Sequence, residues 1–225
     1  HLAAYAAEHL SHVTRRHNYR NNLLASVNLI NESINQGVQH FVFCSSIAVY
    51  GSHQAPMHED MVPRPEDPYG IAKFAVEMDL AAAQRMFGLN YTVFRPHNVY
   101  GERQNLADPH RNVVAIFLTQ LRRDEAMTVF GDGSQSRAFT HVDDVAPLIA
   151  RAPLVRKARN QVFNVGADTP VSVRTLAEEV AAAVGVPARI RTLPGRMEVQ
   201  HAFSDHHRVR EIFGVTRPPI RSEEH

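Results

Sequence analysis

At 225 residues, 44% apolar and 21% charged, the chain is long enough to bury the core of one or two small domains. A net charge of +1 gives no electrostatic footing for nucleic acid or a membrane surface. The single cysteine, Cys44, excludes an internal disulfide and fits a reducing, cytoplasmic compartment. No apolar run approaches the roughly 20 residues that cross a bilayer, and no stretch reads as a signal peptide.

The chain opens at His1, and His1-Leu2-Ala3-Ala4-Tyr5 reads as the end of a buried strand running into a loop. A fragment of a longer protein is therefore expected. Leu23, Leu24, Val27, Leu29 and Ile30 among polar neighbours predict an amphipathic helix over 14–35, stopped by Gly37. Residues 39–45 predict a strand, and 51–68 a loop holding Pro56, Pro63, Pro65 and Pro68. A helix follows over 69–87, with Pro68 suited to its entrance and Gly88 to its end. Tyr91-Thr92-Val93-Phe94 is the next strand. The strand–helix alternation predicts an α/β fold with a parallel sheet flanked by helices, in which ligands lie beyond the C-terminal strand ends.

Past Gly101 the rhythm changes. Helices are expected over 111–123, over 142–152 with Pro147 kinking it, over 172–184 with Ser172 as cap, and over 205–213. Strands are expected over 127–130, 161–165 and 189–193. Gly131-x-Gly133 lacks the third glycine and the strand-to-helix setting of a phosphate loop, so it reads as a turn. His201, His206 and His207 lack the spacing of converging metal ligands and read as a solvated helix end; no metal is expected.

The chemistry concentrates between Phe41 and Lys73. Phe41-Val42-Phe43-Cys44-Ser45-Ser46 is an apolar run ending in hydroxyls at a strand's C-terminal end. Tyr69 and Lys73 are four apart and share a helix face. An ammonium beside a phenol favours the phenolate, which predicts a lowered Tyr69 pKa and a usable general base. Ser46 is placed to hold a substrate hydroxyl against it.

These residues, with Val49-Tyr50-Gly51 and Arg95-Pro96-His97-Asn98-Val99-Tyr100-Gly101, resemble the extended short-chain dehydrogenase/reductase family, its nucleotide-sugar epimerases most of all. The resemblance implies a Rossmann-like NAD-binding domain over 1–97 and 138–166, interleaved with a smaller nucleotide-sugar-binding α/β domain over 98–137 and 167–225. It implies Ser46, Tyr69 and Lys73 as catalytic residues. It places Ala3, Ala4, Asn21, Cys44, Ser45, Tyr69, Lys73 and Pro96 at NAD. It places Ser46, Asn98, Asn112, Val113, Thr128, Phe130, Arg137, Arg196 and Glu198 at a nucleotide-diphosphate sugar. A homodimer is implied through paired helices, one of them starting at Tyr69. Ala202 falls near a position where side-chain size sets tolerance for an N-acetyl group.

Two departures from the family pattern bear on activity. No Gly-rich dinucleotide fingerprint occurs in the chain, so these residues alone are expected to bind NAD poorly, with an uncovered sheet margin that favours instability or self-association. After Ser46 stand Ile47-Ala48, which cannot titrate, where the family's dehydratases carry an Asp-Glu pair. That disfavours dehydration and leaves C4 epimerisation of a sugar such as UDP-glucose or UDP-galactose. A nucleotide-sugar reductase or dehydrogenase, or a non-catalytic binding fragment, remain the alternatives.

Overall fold

The computed structural model describes residues 1–52, 55–106, 108, 112–195 and 199–215. A parallel sheet of three strands organises it: β1 (His40–Cys44), β2 (Asn90–Pro96) and β7 (Gln161–Val165), in the order β1-β2-β7. Successive side chains of a strand point to opposite faces, and both faces here are apolar. Phe41 and Phe43 of β1 and Val93 of β2 pack with Ile30 of α2 (Ala25–Asn35) and with Val76, Leu80 and Ala83 of α3 (Pro68–Phe87). On the other face Phe94 and Phe163 meet Val145 and Leu148 of α5 (Val142–Arg151) and Val209 and Phe213 of α7 (His207–Phe213).

A separate core joins α4 (Val113–Arg122), β4 (Met127–Phe130) and α6 (Val173–Val184) through Phe117, Met127, Val129, Leu176 and Val180. β4 pairs in parallel with β9 (Ile190–Leu193). Two further small sheets surround it. β3 (Val99–Tyr100) pairs with β6 (Thr140–His141), and β5 (Ser136–Ala138) lies between β8 (Pro170–Ser172) and β10 (His201–Ala202). α7 packs on the parallel sheet, where Val209 and Phe213 complete the apolar surface over Phe94 and Phe163.

The helix expected over 14–35 is divided. α1 (Arg15–Tyr19) runs into a π-helical turn, Arg20–Leu24, before α2. The π turn turns Asn22 inward, where its amide accepts from Tyr5 N at 2.7 Å and donates to Tyr5 O at 3.0 Å. This ties the opening segment to the helix. That segment also pairs with β1: the His1 backbone nitrogen donates to Val42 O at 2.7 Å, and Cys44 N donates to His1 O at 3.2 Å. Pro147 lies inside α5, which runs unbroken from Val142 to Arg151.

The joint between β2 and α7 is a buried histidine pair. His97 Nδ1 lies 3.0 Å from Ala138 O, and its Nε2 lies 3.1 Å from His206 Nε2. His206 Nδ1 faces Asp168, which Arg210 also contacts. Gly166 permits this stack, since a Cβ there would sit 2.2 Å from the His97 ring. Burial, then the neighbouring His206, push His97 down to about 4. The unfolded chain therefore takes up this proton first as the medium is acidified, so stability is present above about pH 6.5 and lost toward pH 4. We expect the unfolding free energy to fall by about 2 kcal/mol from this group between about pH 7 and pH 5. Urea titrations of wild type and His97→Gln should show that dependence flattened in the variant; an unchanged slope refutes the assignment.

Candidate active site

The site forms where β1 ends and α3 begins. Asp67 caps α3: its Oδ1 accepts from Tyr69 N at 2.8 Å and Gly70 N at 2.9 Å, and Pro68 takes the first helical position, where no N–H is needed. Ser11 Oγ donates to the same carboxylate oxygen at 3.3 Å, and Asn18 Nδ2 donates to Pro68 O at 2.8 Å. The first turn of α3 is thereby held from both sides. Gly70 is required by proximity, because a Cβ would meet Ala48 O at 2.5 Å. That close approach brings the helix onto the short 3₁₀ turn Ile47–Tyr50, whose cap is Ser46.

Ser46, Tyr69 and Lys73 converge here. Ser46 Oγ accepts from Ala48 N at 3.1 Å and lies close enough to the Tyr69 hydroxyl to favour its ionised form. Lys73 Nζ donates to Cys44 O at 2.8 Å and lies 4.8 Å from the centroid of the Phe43 ring and 5.7 Å from that of Tyr69. Lys73 is 2% exposed and Tyr69 8%. Burial pushes the Lys73 ammonium down to about 8, with Glu77, and Cys44 where its thiol is ionised, opposing the shift.

The expected lowering of the Tyr69 pKa is not what the structure carries. Burial raises the phenol above its ordinary value, the Cys44, Glu8 and Asp67 charges add to this, and the Ser46 hydroxyl opposes it. The reason is desolvation: a phenolate in this pocket loses more hydration than these neighbours return. The Lys73 hydrogen bond goes to the Cys44 carbonyl rather than to the phenol.

The other expected residues divide into groups. Cys44 and Ser45 adjoin Ser46, but Ser45 is buried and donates to Glu77 Oε1 at 2.5 Å. Ala3 and Ala4 follow the His1 bridge along the margin of β1. Asn21 is turned away: it is exposed, and its amide donates back to His17 O at 2.8 Å. The inward asparagines are Asn18 and Asn22, joined at 2.7 Å, which residue type alone did not separate from Asn21. Pro96 ends β2, and Asn98 follows with φ of 41° and its amide on Ala138 O at 3.2 Å.

Asn112 caps α4, accepting from Val114 N at 2.9 Å and donating to Val99 O at 2.8 Å, and Val113 opens the helix behind it. Thr128 pairs with Gln120, and half-buried Phe130 ends β4. The Arg137 guanidinium donates to the carbonyls of Ser136, Gln200 and Val199. Ala202, beside Arg137 in the β10–β5 register, packs with Val49, Tyr50 and Met57. Arg196 and Glu198 lie outside the described residues. Among the described residues no group of His, Cys, Asp or Glu is arranged to hold a metal, and no helix is long and apolar enough to cross a membrane.

A strand-end hydroxyl against a helical Tyr-x-x-x-Lys pair, on a parallel sheet flanked by helices, defines a short-chain dehydrogenase/reductase type of site. Residues 1–166 match the model of the NAD dependent epimerase/dehydratase family, and the chain belongs to that family. It is 36% identical over 198 residues to the UDP-glucose 4-epimerase of Mycolicibacterium smegmatis, covering 86% of this chain and 62% of that protein. It is 32% identical over 190 residues to a putative UDP-glucose 4-epimerase of Methanocaldococcus jannaschii, covering 82% and 60%. The crystal structure of the Thermotoga maritima UDP-glucose 4-epimerase with UDP-glucose superposes with a TM-score of 0.90 at 34% identity, over 95% of this chain and 70% of that one. The chain thus spans about three fifths of the length of these curated relatives.

Asp67→Ala removes the side-chain acceptor of two α3 amides. We expect a loss of about 1 kcal/mol and a fall in melting temperature of about 2–4 °C, with Asp67→Asn largely sparing both. A melting temperature unchanged in the alanine variant refutes the capping role.

Proposed function

We propose that this chain carries the catalytic and sugar-binding portion of an NAD-dependent epimerase acting at C4 of a nucleotide-diphosphate sugar, most simply UDP-glucose and UDP-galactose. The observation that carries this is the convergence of Ser46, Tyr69 and Lys73 at the end of β1. Identity of 36% and 34% to two UDP-glucose 4-epimerases supports the choice of reaction. Ile47 and Ala48 offer no proton donor or acceptor beside Ser46, which speaks against a dehydratase.

The residues present fit the nicotinamide end of the dinucleotide. The Lys73 ammonium has three donors, one of which goes to Cys44 O, and ribose hydroxyls suit the others. Ser45 donates its hydroxyl proton to Glu77, which leaves its oxygen only as an acceptor toward the cofactor. NAD, when bound, supplies the acceptor and donor of hydride for C4. Tyr69, as the phenolate that the Lys73 ammonium and a bound positive nicotinamide would stabilise, takes the proton of the sugar 4-hydroxyl and later returns it, and Ser46 hydrogen-bonds the same oxygen as it becomes a ketone. The burial that raises the Tyr69 phenol sets the demand for positive charge beside it, which Lys73 meets while it stays protonated. In this reading Asn98 and Arg137, which both donate to carbonyls of β5, hold the diphosphate while the sugar turns to offer its other face. In this reading Phe130, at the end of β4, and Thr128, within it, contact the base.

A homodimer completes the proposal. Ile71 and Met78, seven apart on one face of α3, are 40% and 60% exposed, and Leu29 of neighbouring α2 is 45% exposed. Ile71→Asp with Met78→Asp should shift sedimentation from dimer to monomer; a monomeric wild type rejects it. Cys44 as the lone thiol suits a cytoplasmic setting.

The full protein with NAD should interconvert UDP-galactose and UDP-glucose without added reductant and without net change in nicotinamide absorbance. Tyr69→Phe should lower turnover by about 10²–10⁴-fold while KM changes little. Near-wild-type turnover in that variant sinks the mechanism, and stoichiometric NADH consumption by the wild type favours a reductase instead.

A further inference from the structure

One turn beyond Lys73 on α3 stands Glu77, 6% exposed. Its carboxylate takes two bonds from Arg95 of β2, Nε to Oε1 at 3.1 Å and Nη2 to Oε2 at 2.5 Å. Ser45 Oγ adds a third, at 2.5 Å to Oε1. Arg95 is held in turn, donating from Nη1 to the Tyr50 hydroxyl at 2.7 Å, which donates to Asn164 Oδ1 at 2.8 Å. Ser45 lies between the residue whose carbonyl receives Lys73 and the residue beside the Tyr69 hydroxyl.

We propose that Glu77 is a positioning residue of this site: clamped by Arg95, its carboxylate fixes the Cys44–Ser46 strand end against α3 and supplies the negative charge that keeps Lys73 an ammonium. Its use in turnover rests on the epimerase reading; its hold on Lys73 does not. Among the described residues the groups facing Lys73 are Tyr69 and Glu77 on α3 and the Cys44 thiol and the Phe43 ring on β1, with the Arg95 guanidinium of β2 behind Glu77. Glu77 itself also faces Tyr91, which lies near Arg85. Burial raises the Cys44 thiol, which is therefore uncharged near neutrality and gives Lys73 no support there. Among the described residues Glu77, held by Arg95, is the carboxylate that favours the ammonium.

The chain contains two lysines, Lys73 and exposed Lys157, so lysine labelled with ¹³C and ¹⁵N gives one buried and one control signal. Following both by NMR against pH in the full chain reads the Lys73 midpoint without any turnover. In Glu77→Gln, which keeps the size and a hydrogen-bonding end, the midpoint should fall so that the ionisation constant changes by tenfold or more, with Lys157 unmoved. Glu77→Asp, which keeps the charge, should restore most of the shift. Glu77→Gln with Arg95→Met removes the stranded guanidinium and keeps the test open should the single variant misfold; its midpoint should also lie below wild type. A wild-type midpoint in folded Glu77→Gln, or in the double variant, overturns the proposal. A shifted midpoint in a protein that epimerises no nucleotide sugar counts against the epimerase reading and leaves the Glu77 assignment standing.

Discussion

Burying an ammonium costs several kcal/mol unless hydrogen bonds and opposite charge replace its water. Lys73 is almost fully buried, and its bond to the Cys44 carbonyl crosses from α3 to the end of β1. That crossing sets the spacing of the site. It fixes the rotation of α3 about its axis, which places Tyr69 one turn earlier against Ser46. It also requires β1 to stop where its last carbonyl can receive the lysine. The Gly70–Ala48 approach and the Asp67 cap serve the same geometry from the helix end.

The polar groups around this bond form a connected set. Arg95 joins Glu77 to Tyr50, Tyr50 joins Asn164, and Asn164 donates to the Met57 carbonyl and from its backbone to Glu59. β1, β2, β7, α3 and the 51–68 loop are thus linked below the catalytic residues through buried hydrogen bonds. A partly satisfied network of this kind would cost more than an apolar core, so its members act together. The electrostatic outcome is divided. Tyr69 is held protonated by burial, and Lys73 is left with a proton it gives up more readily than an ordinary lysine. Poised groups of opposite tendency suit a site whose task is to move one proton to and from a sugar oxygen.

The fold was largely legible because its strongest signals are periodic. β4 and β7 lie where their apolar runs put them, and Ser172 caps α6 by accepting from Thr175 N. β3, β5, β6, β8 and β10 were not legible, since strands of two or three residues exist only through their partners. The π turn at Arg20–Leu24 was missed for a related reason. Asn22 turns inward there to meet the Tyr5 peptide, a contact between segments that helical spacing does not encode.

By themselves the residues determined the sheet-and-helix alternation, the strand end bearing hydroxyls and the Tyr69–Lys73 spacing, because each depends on neighbours within a few positions. The sign of the Tyr69 shift was decided by tertiary structure, since it depends on how much water the surrounding chain removes. So was the choice of Asn22 over Asn21, which depends on a one-residue change of helical phase. Glu77 and Arg95, 18 residues apart, likewise became one unit only when β2 was laid beside β1 under α3.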